Sequence, residues 1–175
     1  MIKSLSITTE ESLITDRSQK HDIDTKGNAR IVYDPPTPQE YIEAHDLKSD
    51  GKTVKLYKAV RKDENGYRAN HDGTRYVIGE EVVADGLTTD PNENCGHGIH
   101  MAYKEWAVDF GKGWHDLAIL ELEADVDGLV VPLYGVGKVR AAKAKVIREV
   151  PLEECGLLGK ILAKRKEVSK NDKIL

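Results

Sequence analysis

The chain has 175 residues, of which 39% are hydrophobic and 32% are charged, and its formal net charge is −4. This length suits one compact domain that builds its own core without disulfides. No run of about 20 apolar residues is present, which excludes a membrane-spanning helix, and the negative net charge argues against a nucleic-acid-binding surface.

The first 34 residues are polar and contain few apolar side chains. We predict that residues 1–34 form an N-terminal arm that becomes ordered when it docks on the body or on a partner. Leu5, Ile7, Leu13 and Ile14 suffice for one weak strand at most. The same segment lacks the apolar core of a signal peptide, so we expect no export.

A helix is predicted from Thr37 to about Leu47. Thr37 is a typical N-cap residue, Pro38 suits the first helical position, and Glu40 completes a capping box. The prolines that precede this helix disfavour helical backbone before them. We therefore place the start of the folded domain at Pro35.

Runs of β-branched, aromatic and aliphatic residues predict the strands of a central sheet. A second helix is predicted over Met101–Phe110 from its helical spacing of apolar residues, with Gly111 as its end. The segment at 75–83 is expected to break near Gly79. The predicted strands are 53–60, 75–83, 117–124, 129–134 and 138–150.

This order of elements predicts an α+β fold, a single compact domain with a mixed or mostly antiparallel central sheet and a few short helices. The domain is expected to cover residues 35–155, with a last short helix from Leu152. Residues 156–175 are predicted to be a basic C-terminal tail, since residues 160–175 carry six Lys or Arg and two acids.

The densest group of chemically active side chains is Cys95-Gly96-His97-Gly98-Ile99-His100. A zinc site completed by His115 or Cys155 is one interpretation, but this segment does not match the usual spacings of zinc ligands. Cys95 as a nucleophile with a histidine base would also need an orienting acid, and none is evident. We therefore predict no metal, no cofactor and no catalytic residue, and the plainest interpretation is a glycine-shaped loop anchored by His100.

Only two cysteines are present, Cys95 and Cys155. Two are too few for a disulfide framework, and we interpret them as reduced thiols in a cytosolic protein. A single bridge between them is the alternative.

The segment before Pro151 is rich in cations. One interpretation is a phosphate-binding stripe, and the other is an exposed edge strand that lysines protect from aggregation. The cations concerned are Lys138, Arg140, Lys143, Lys145 and Arg148.

We predict one candidate pocket, which the cysteine–histidine segment would wall. A helix N-terminus and nearby cations favour an anion, so an anionic or nucleotide ligand is the expected small-molecule partner. The predicted pocket residues are Cys95, His97, His100, Tyr57, Lys138 and Arg140.

Five short motifs follow one another along the chain: Leu56-Tyr57-Lys58-Ala59, Tyr76-x-x-Gly79, Cys95-Gly96-His97-Gly98-Ile99-His100, Ile119-Leu120-Glu121-Leu122-Glu123 and Lys138-Val139-Arg140-Ala141. In this order they resemble a family of small, functionally uncharacterised phage and prophage domains. The resemblance covers about residues 53–150 and implies a phage or mobile-element context. Its most specific part is the C-x-x-G-[IL]-H turn.

The order of the LYKA strand, the GIHMAYKEWAVDFG segment and the later strands is also similar to ADP-ribosyltransferase-like folds. In those enzymes an early Arg or His positions NAD and a late Glu stabilises the ribosyl cation. Lys58 lies near the place in the sequence where those enzymes have the early Arg or His. In the late strand, basic residues replace the expected acid, and Glu149 stands only at its end. The resemblance implies a non-catalytic relative. If NAD is used, Tyr57, Lys58, His100 and Glu149 should line one cleft.

The expected function is that of a phage- or mobile-element-encoded, non-catalytic interaction protein. Its partner would be a host or virion protein, and its role that of an accessory virion component or an inhibitor of a host system. We expect it in the cytoplasm of a bacterial host cell or in the virion. The alternative is an ADP-ribosyltransferase-like, NAD-using enzyme or a degenerate nucleotide-binding relative.

Overall fold

The structure is a computed structural model. Side chains are described within 35–133 and 137–168. The backbone is described for residues 5–8, 13–15, 23–26, 30–32, 35–133 and 137–171.

The N-terminal segment contains four short strands rather than one. Strand β1 (Leu5–Thr8) pairs in parallel with β3 (Ile23–Lys26), and β2 (Leu13–Thr15) pairs in parallel with β4 (Arg30–Val32). Each pair joins residues that are far apart in the chain, so no local pattern signals it. The remaining residues of the predicted arm lie outside the described residues, and the arm stays a prediction.

Helix α1 (Pro38–Ala44) begins as its sequence predicts. The Glu40 amide donates to Thr37 Oγ1 at 3.2 Å, and the Thr37 amide donates to a Glu40 carboxylate oxygen at 2.7 Å. This reciprocal pair satisfies two amides that would otherwise lack partners at the helix start. Tyr41 and Ile42 turn inward and are buried in the core.

Eight strands form the main sheet, and every strand pairing in it is antiparallel. The order across the sheet is β11-β9-β5-β10-β12-β8, with β6 and β7 attached to the far end of β5. The predicted α+β fold with a mostly antiparallel sheet is confirmed. The strands are β5 (Thr53–Asp63), β6 (Gly66–Arg68), β7 (Arg75–Tyr76), β8 (Glu81–Val83), β9 (Ile99–Ala102), β10 (Leu117–Asp125), β11 (Lys138–Ala141) and β12 (Lys143–Val150).

The two faces of the sheet carry separate parts of the core. One face packs on α1 and on the segments that follow β6, β7 and β10. The other packs on α2 (Lys104–Gly111) and α3 (Gly156–Asn171). Leu56 and Leu120 are fully buried on the first face and Ile119 on the second, so β10 is a central strand, as its continuous apolar run predicts.

The predicted helix over 101–110 begins too early. Met101 belongs to strand β9, and helix α2 starts at Lys104. Ile99 and Met101 are both buried in the core, and β9 pairs with β11 through four residues. Strand pairing therefore overrides the apolar spacing that favoured a helix at Met101.

Two predicted strands are interrupted. The segment 75–83 is split into β7 and β8 by residues 77–80, where Gly79 has a positive φ of 90°. The segment 138–150 turns at Ala142, and β11 and β12 then lie on different sides of β5 and β10. Strand β11 pairs with β9 at one end of the sheet, whereas β12 lies between β10 and β8.

Residues 129–134 do not form the predicted strand. Val130 makes an isolated bridge with Arg140, and Tyr134 lies outside the described residues. Leu129 and Val131 are buried in the core without strand structure. Their apolar character therefore serves packing against the sheet.

The predicted basic tail is largely helical. A short 3-10 turn at Leu152–Glu154 leads into α3, which continues to Asn171. Leu162 and Ala163 are buried against the sheet, which supplies the stability that a short basic helix lacks alone. In the part of the chain that the structure describes, no helix is long and apolar enough to cross a membrane.

Candidate functional site

The edge of strand β5 that faces β9 has a gap in its pairing. Strand β9 pairs there only at Tyr57, and β6 pairs only from Arg61 onward. Among the described residues, no strand pairs with 58–60 on this edge, whereas β10 pairs with β5 along its whole opposite edge. We call this gap the notch. Lys58 on β5 and His100 on β9 border it, and the charge of Asp72, in the turn between β6 and β7, acts on the pKa of both.

Lys58 occupies the notch with its ammonium group. Its Nζ donates to the backbone oxygen of His100 at 2.9 Å, and it lies 5.6 Å from the centre of the Tyr76 ring. Burial lowers the pKa of Lys58 to about 8, and the charge of Asp72 partly opposes this shift. The ammonium is therefore charged at neutral pH, yet it has given up most of its hydration.

His100 carries the least satisfied polar atom of the site. Its Nε2 is buried and has no hydrogen-bond partner among the described residues. Burial lowers the pKa of His100 to about 4, and the charges of Lys58, Lys138 and Arg140 add to this effect. The imidazole is neutral at pH 7. Because a buried polar atom without a partner is costly, Nε2 marks the point of this region where a hydrogen bond is missing.

Lys138 and Cys95 are in contact with each other, and Lys138 lies near His100. The Lys138 Nζ is 3.3 Å from the Cys95 Sγ, and Cys95 is exposed. Lys138 stands on β11, which pairs directly with the strand that carries His100. Its ammonium is thus a second cation beside the imidazole.

Arg140 has a structural role. The side chain is fully buried, and its guanidinium donates to the backbone oxygens of Thr88, Asp90 and Glu93. All three guanidinium nitrogens are therefore engaged by one loop. Arg140 positions the segment that leads to Cys95, and its donors do not face a ligand.

His97 is tied down by its backbone while its side chain is exposed. The His97 amide donates to Thr88 Oγ1 at 2.8 Å, and the Thr88 amide donates to the His97 oxygen at 3.0 Å. The next residue, Gly98, has a φ of 140°, and a Cβ there would lie 3.1 Å from Arg140 Cβ. Glycine is thus required for the close approach of this loop to β11.

Tyr57 does not border the notch. It packs on the face that carries α2 and α3, with Lys104 Nζ 5.8 Å from its ring centre. Neighbouring residues of a strand point to opposite faces, so Tyr57 and Lys58 are separated by the sheet.

Glu149 is also held elsewhere. Its carboxylate accepts from Lys62 Nζ and from the Tyr67 hydroxyl, both at 2.6 Å. The register places it opposite Leu120, which lies opposite Lys58, so Glu149 is two strands from Lys58, about 10 Å away. Of the four residues expected around NAD, only Lys58 and His100 come together.

Three of the predicted pocket residues, His100, Lys138 and Cys95, lie in this region of the fold. Lys58 is not among the predicted pocket residues and is indicated only by a family resemblance. Asp72 gave no signal beyond the turn His71-Asp72-Gly73. Its charge acts on Lys58 and His100 because β6 and β7 fold back along β5, and no local pattern encodes that.

The two cysteines are free thiols on separate parts of the fold. Cys155 is buried near α3, where its Sγ donates to the Pro151 oxygen at 3.4 Å, and burial raises its pKa to about 11. The alternative of a bridge to Cys95 is therefore wrong. Within the described ranges, no group of three or more His, Cys, Asp or Glu side chains is arranged to hold a metal ion.

No protein-family model, curated protein or solved structure matches this chain.

Proposed function

We propose that the protein is a binding module that takes up a small anionic ligand, carrying phosphate, at the notch. The observation that carries this proposal is the buried, unpartnered Nε2 of His100 beside the ammonium group of Lys58. Lys138 adds a second ammonium group at the loop side.

The local charge supports an anion. Lys58, Lys138 and the buried Arg140 all act on His100 as positive charges, and among the described residues the opposing charge is that of Asp72. Hydrogen bonds between ammonium groups and phosphate oxygens are about twice as strong as neutral ones. Since Lys58 is partly buried, its attraction to an anion is also less screened than at an open surface.

The first test is a thermal-shift titration with NAD, pyrophosphate and uncharged adenosine. We expect NAD or pyrophosphate to raise Tm by about 5–10 °C near 100 times its Kd, because a ligand that binds only the folded state stabilises it. Adenosine should have no effect. The variants Lys58→Met and Lys138→Met should each weaken binding by at least about tenfold.

The matched control is Lys145→Met, which removes an exposed lysine on β12. It should leave the ligand-induced shift unchanged. No shift with either phosphate compound at millimolar concentration would remove the proposal.

A second candidate function is binding to a host or virion protein. The supporting observation is a row of exposed apolar side chains on α3, with Leu157 77%, Ile161 41% and Val168 60% exposed. Their spacing of four and seven residues places them along one side of a helix. Leu157 and Ile161 line a groove of about 410 Å³.

We expect the double variant Leu157→Glu/Ile161→Glu to lose a protein partner that the wild-type chain recovers from phage-infected or expressing cells. Recovery of the same partner by a chain that begins at Asp34 tests separately whether the N-terminal arm takes part in binding. Lys145→Glu is the control, since it changes charge on the exposed part of β12. Equal recovery of the same partner by the double variant would exclude α3 as the interface.

A further inference from the structure

We infer that the exposed side of α3 is covered by a second copy of the chain, with the two α3 helices packed antiparallel about a two-fold axis. This inference goes beyond the anion site at the notch. It concerns the surface that supports the second candidate function and gives that surface a different occupant. It follows from the apolar side chains on this side of the helix and from the order of the charges beside them.

Helix α3 has apolar side chains on two opposite sides. Leu162 and Ala163 are buried against the sheet, whereas Leu157, Ile161 and Val168 are exposed. Spacings of four and seven residues place these three side chains together, on the side of the helix that faces away from the sheet. We call them the α3 stripe. A surface helix needs only its inward side to be apolar, so the stripe indicates a further contact.

The stripe has the spacing of a helix–helix contact. Leu157, Ile161, Lys164 and Val168 follow one another at steps of four, three and four residues, which is the alternation of the two inward positions of a coiled coil. The first three line the groove of about 410 Å³ on α3, so this row has room for side chains of a facing helix. A polar residue such as Lys164 at one inward position fixes the register at a cost in stability.

The charges beside the stripe complement a reversed copy of the same helix. Lys160 and Glu167 lie on one flank of the stripe and line the groove, and neither forms an ion pair with another described residue. When antiparallel copies set Leu157 opposite Val168 of the partner subunit, Lys160 of each copy comes next to Glu167 of the partner subunit. A parallel copy would instead bring Lys160 toward Arg165 of the partner subunit, which is repulsive.

The size of the contact predicts a weak dimer. Helix α3 has 16 residues and is therefore about 24 Å long. One pair of helices of this length is at the low end of specific interfaces, which bury at least about 1,000 Å². We expect dimer and monomer to exchange, with a Kd on the order of 100 μM.

Sedimentation equilibrium of the purified full chain measures this association without any other protein. We expect Leu157→Glu/Ile161→Glu to be monomeric, because it brings carboxylates of both copies into one contact. Lys164→Leu should tighten the dimer at least about tenfold, since it replaces the charged side chain in the apolar row. Lys145→Glu, on the exposed part of β12, is the control and should leave the dimer unchanged.

Charge reversal tests the antiparallel arrangement. Lys160→Glu and Glu167→Lys should each weaken the dimer about tenfold, because each brings like charges together at both ends of the contact. Lys160→Glu/Glu167→Lys should restore the wild-type affinity, since it reverses both members of the pair. Circular dichroism checks that every variant keeps the wild-type fold. Tighter association of Lys160→Glu alone would indicate parallel helices and overturn the arrangement.

The remaining outcomes separate the possible occupants of the stripe. A wild-type chain that stays monomeric at millimolar concentration overturns the inference, and so does a dimer that persists in Leu157→Glu/Ile161→Glu. A monomeric chain that recovers another protein through α3 assigns the stripe to that protein and overturns the inference as well. None of these results bears on the notch, which is tested by anion titration of the Lys58 and Lys138 variants.

Discussion

Arg140→Met is expected to lower the free energy of unfolding by about 3–5 kcal/mol, from three hydrogen bonds to a charged group. The wild-type guanidinium is fully buried and donates to three backbone oxygens of the loop at 88–93. Methionine fills much of the same volume but donates to none of them, so three carbonyl groups lose their partner. A hydrogen bond to a charged group contributes about 1.5–3 kcal/mol, and the loss is smaller at Asp90 and Glu93, which are exposed and can bind water instead.

The measurement is urea unfolding at equilibrium, with Lys138→Met as the control on the same strand. Lys138 is half-buried, and its loss should change stability by no more than about 0.5 kcal/mol. Arg140→Lys should retain part of the stability, since one ammonium group replaces a planar fork that reaches three acceptors. A loss below about 1 kcal/mol in Arg140→Met would show that the loop does not depend on Arg140.

His100 is expected to make the protein more stable as pH rises from about 4 to 6.5. The folded pKa is lowered to about 4 from an ordinary value of 6.5, so between these values the unfolded chain binds a proton that the folded chain does not. The free energy of unfolding therefore rises with pH between these two values, and the contribution of His100 is fully present above pH 6.5. The contribution is up to about 3 kcal/mol, from 1.36 kcal/mol for each pKa unit.

His100→Gln isolates this effect, because other titrating groups remain in both chains. The difference in unfolding free energy between wild type and variant should grow by about 3 kcal/mol from pH 4 to pH 7. Imidazole resonances followed by NMR give the pKa directly. A His100 pKa near 6.5 would contradict the buried, neutral state of the ring and with it the role of Nε2 in the notch.

The sequence by itself determined the elements whose signals are local. The start of α1 depends on Thr37, Pro38 and Glu40, all within one helical turn, and it forms as predicted. The strands at 53–60 and 117–124 follow from β-branched, aromatic and apolar residues that any central strand buries. The α+β class follows from the order of these elements.

The tertiary structure alone decided where the remaining residues meet. In the sequence, Arg140 is one of several cations in a basic strand. Only the fold brings the loop at 88–93 over β11, where the Arg140 guanidinium donates to backbone oxygens of that loop. Asp72 lies 28 residues before His100 in the chain. The charge of Asp72 nevertheless acts on the pKa of His100, and β9 and β6 share an edge of β5 without meeting. A gap in pairing depends on the lengths and registers of three strands, which residue patterns a few positions long do not specify.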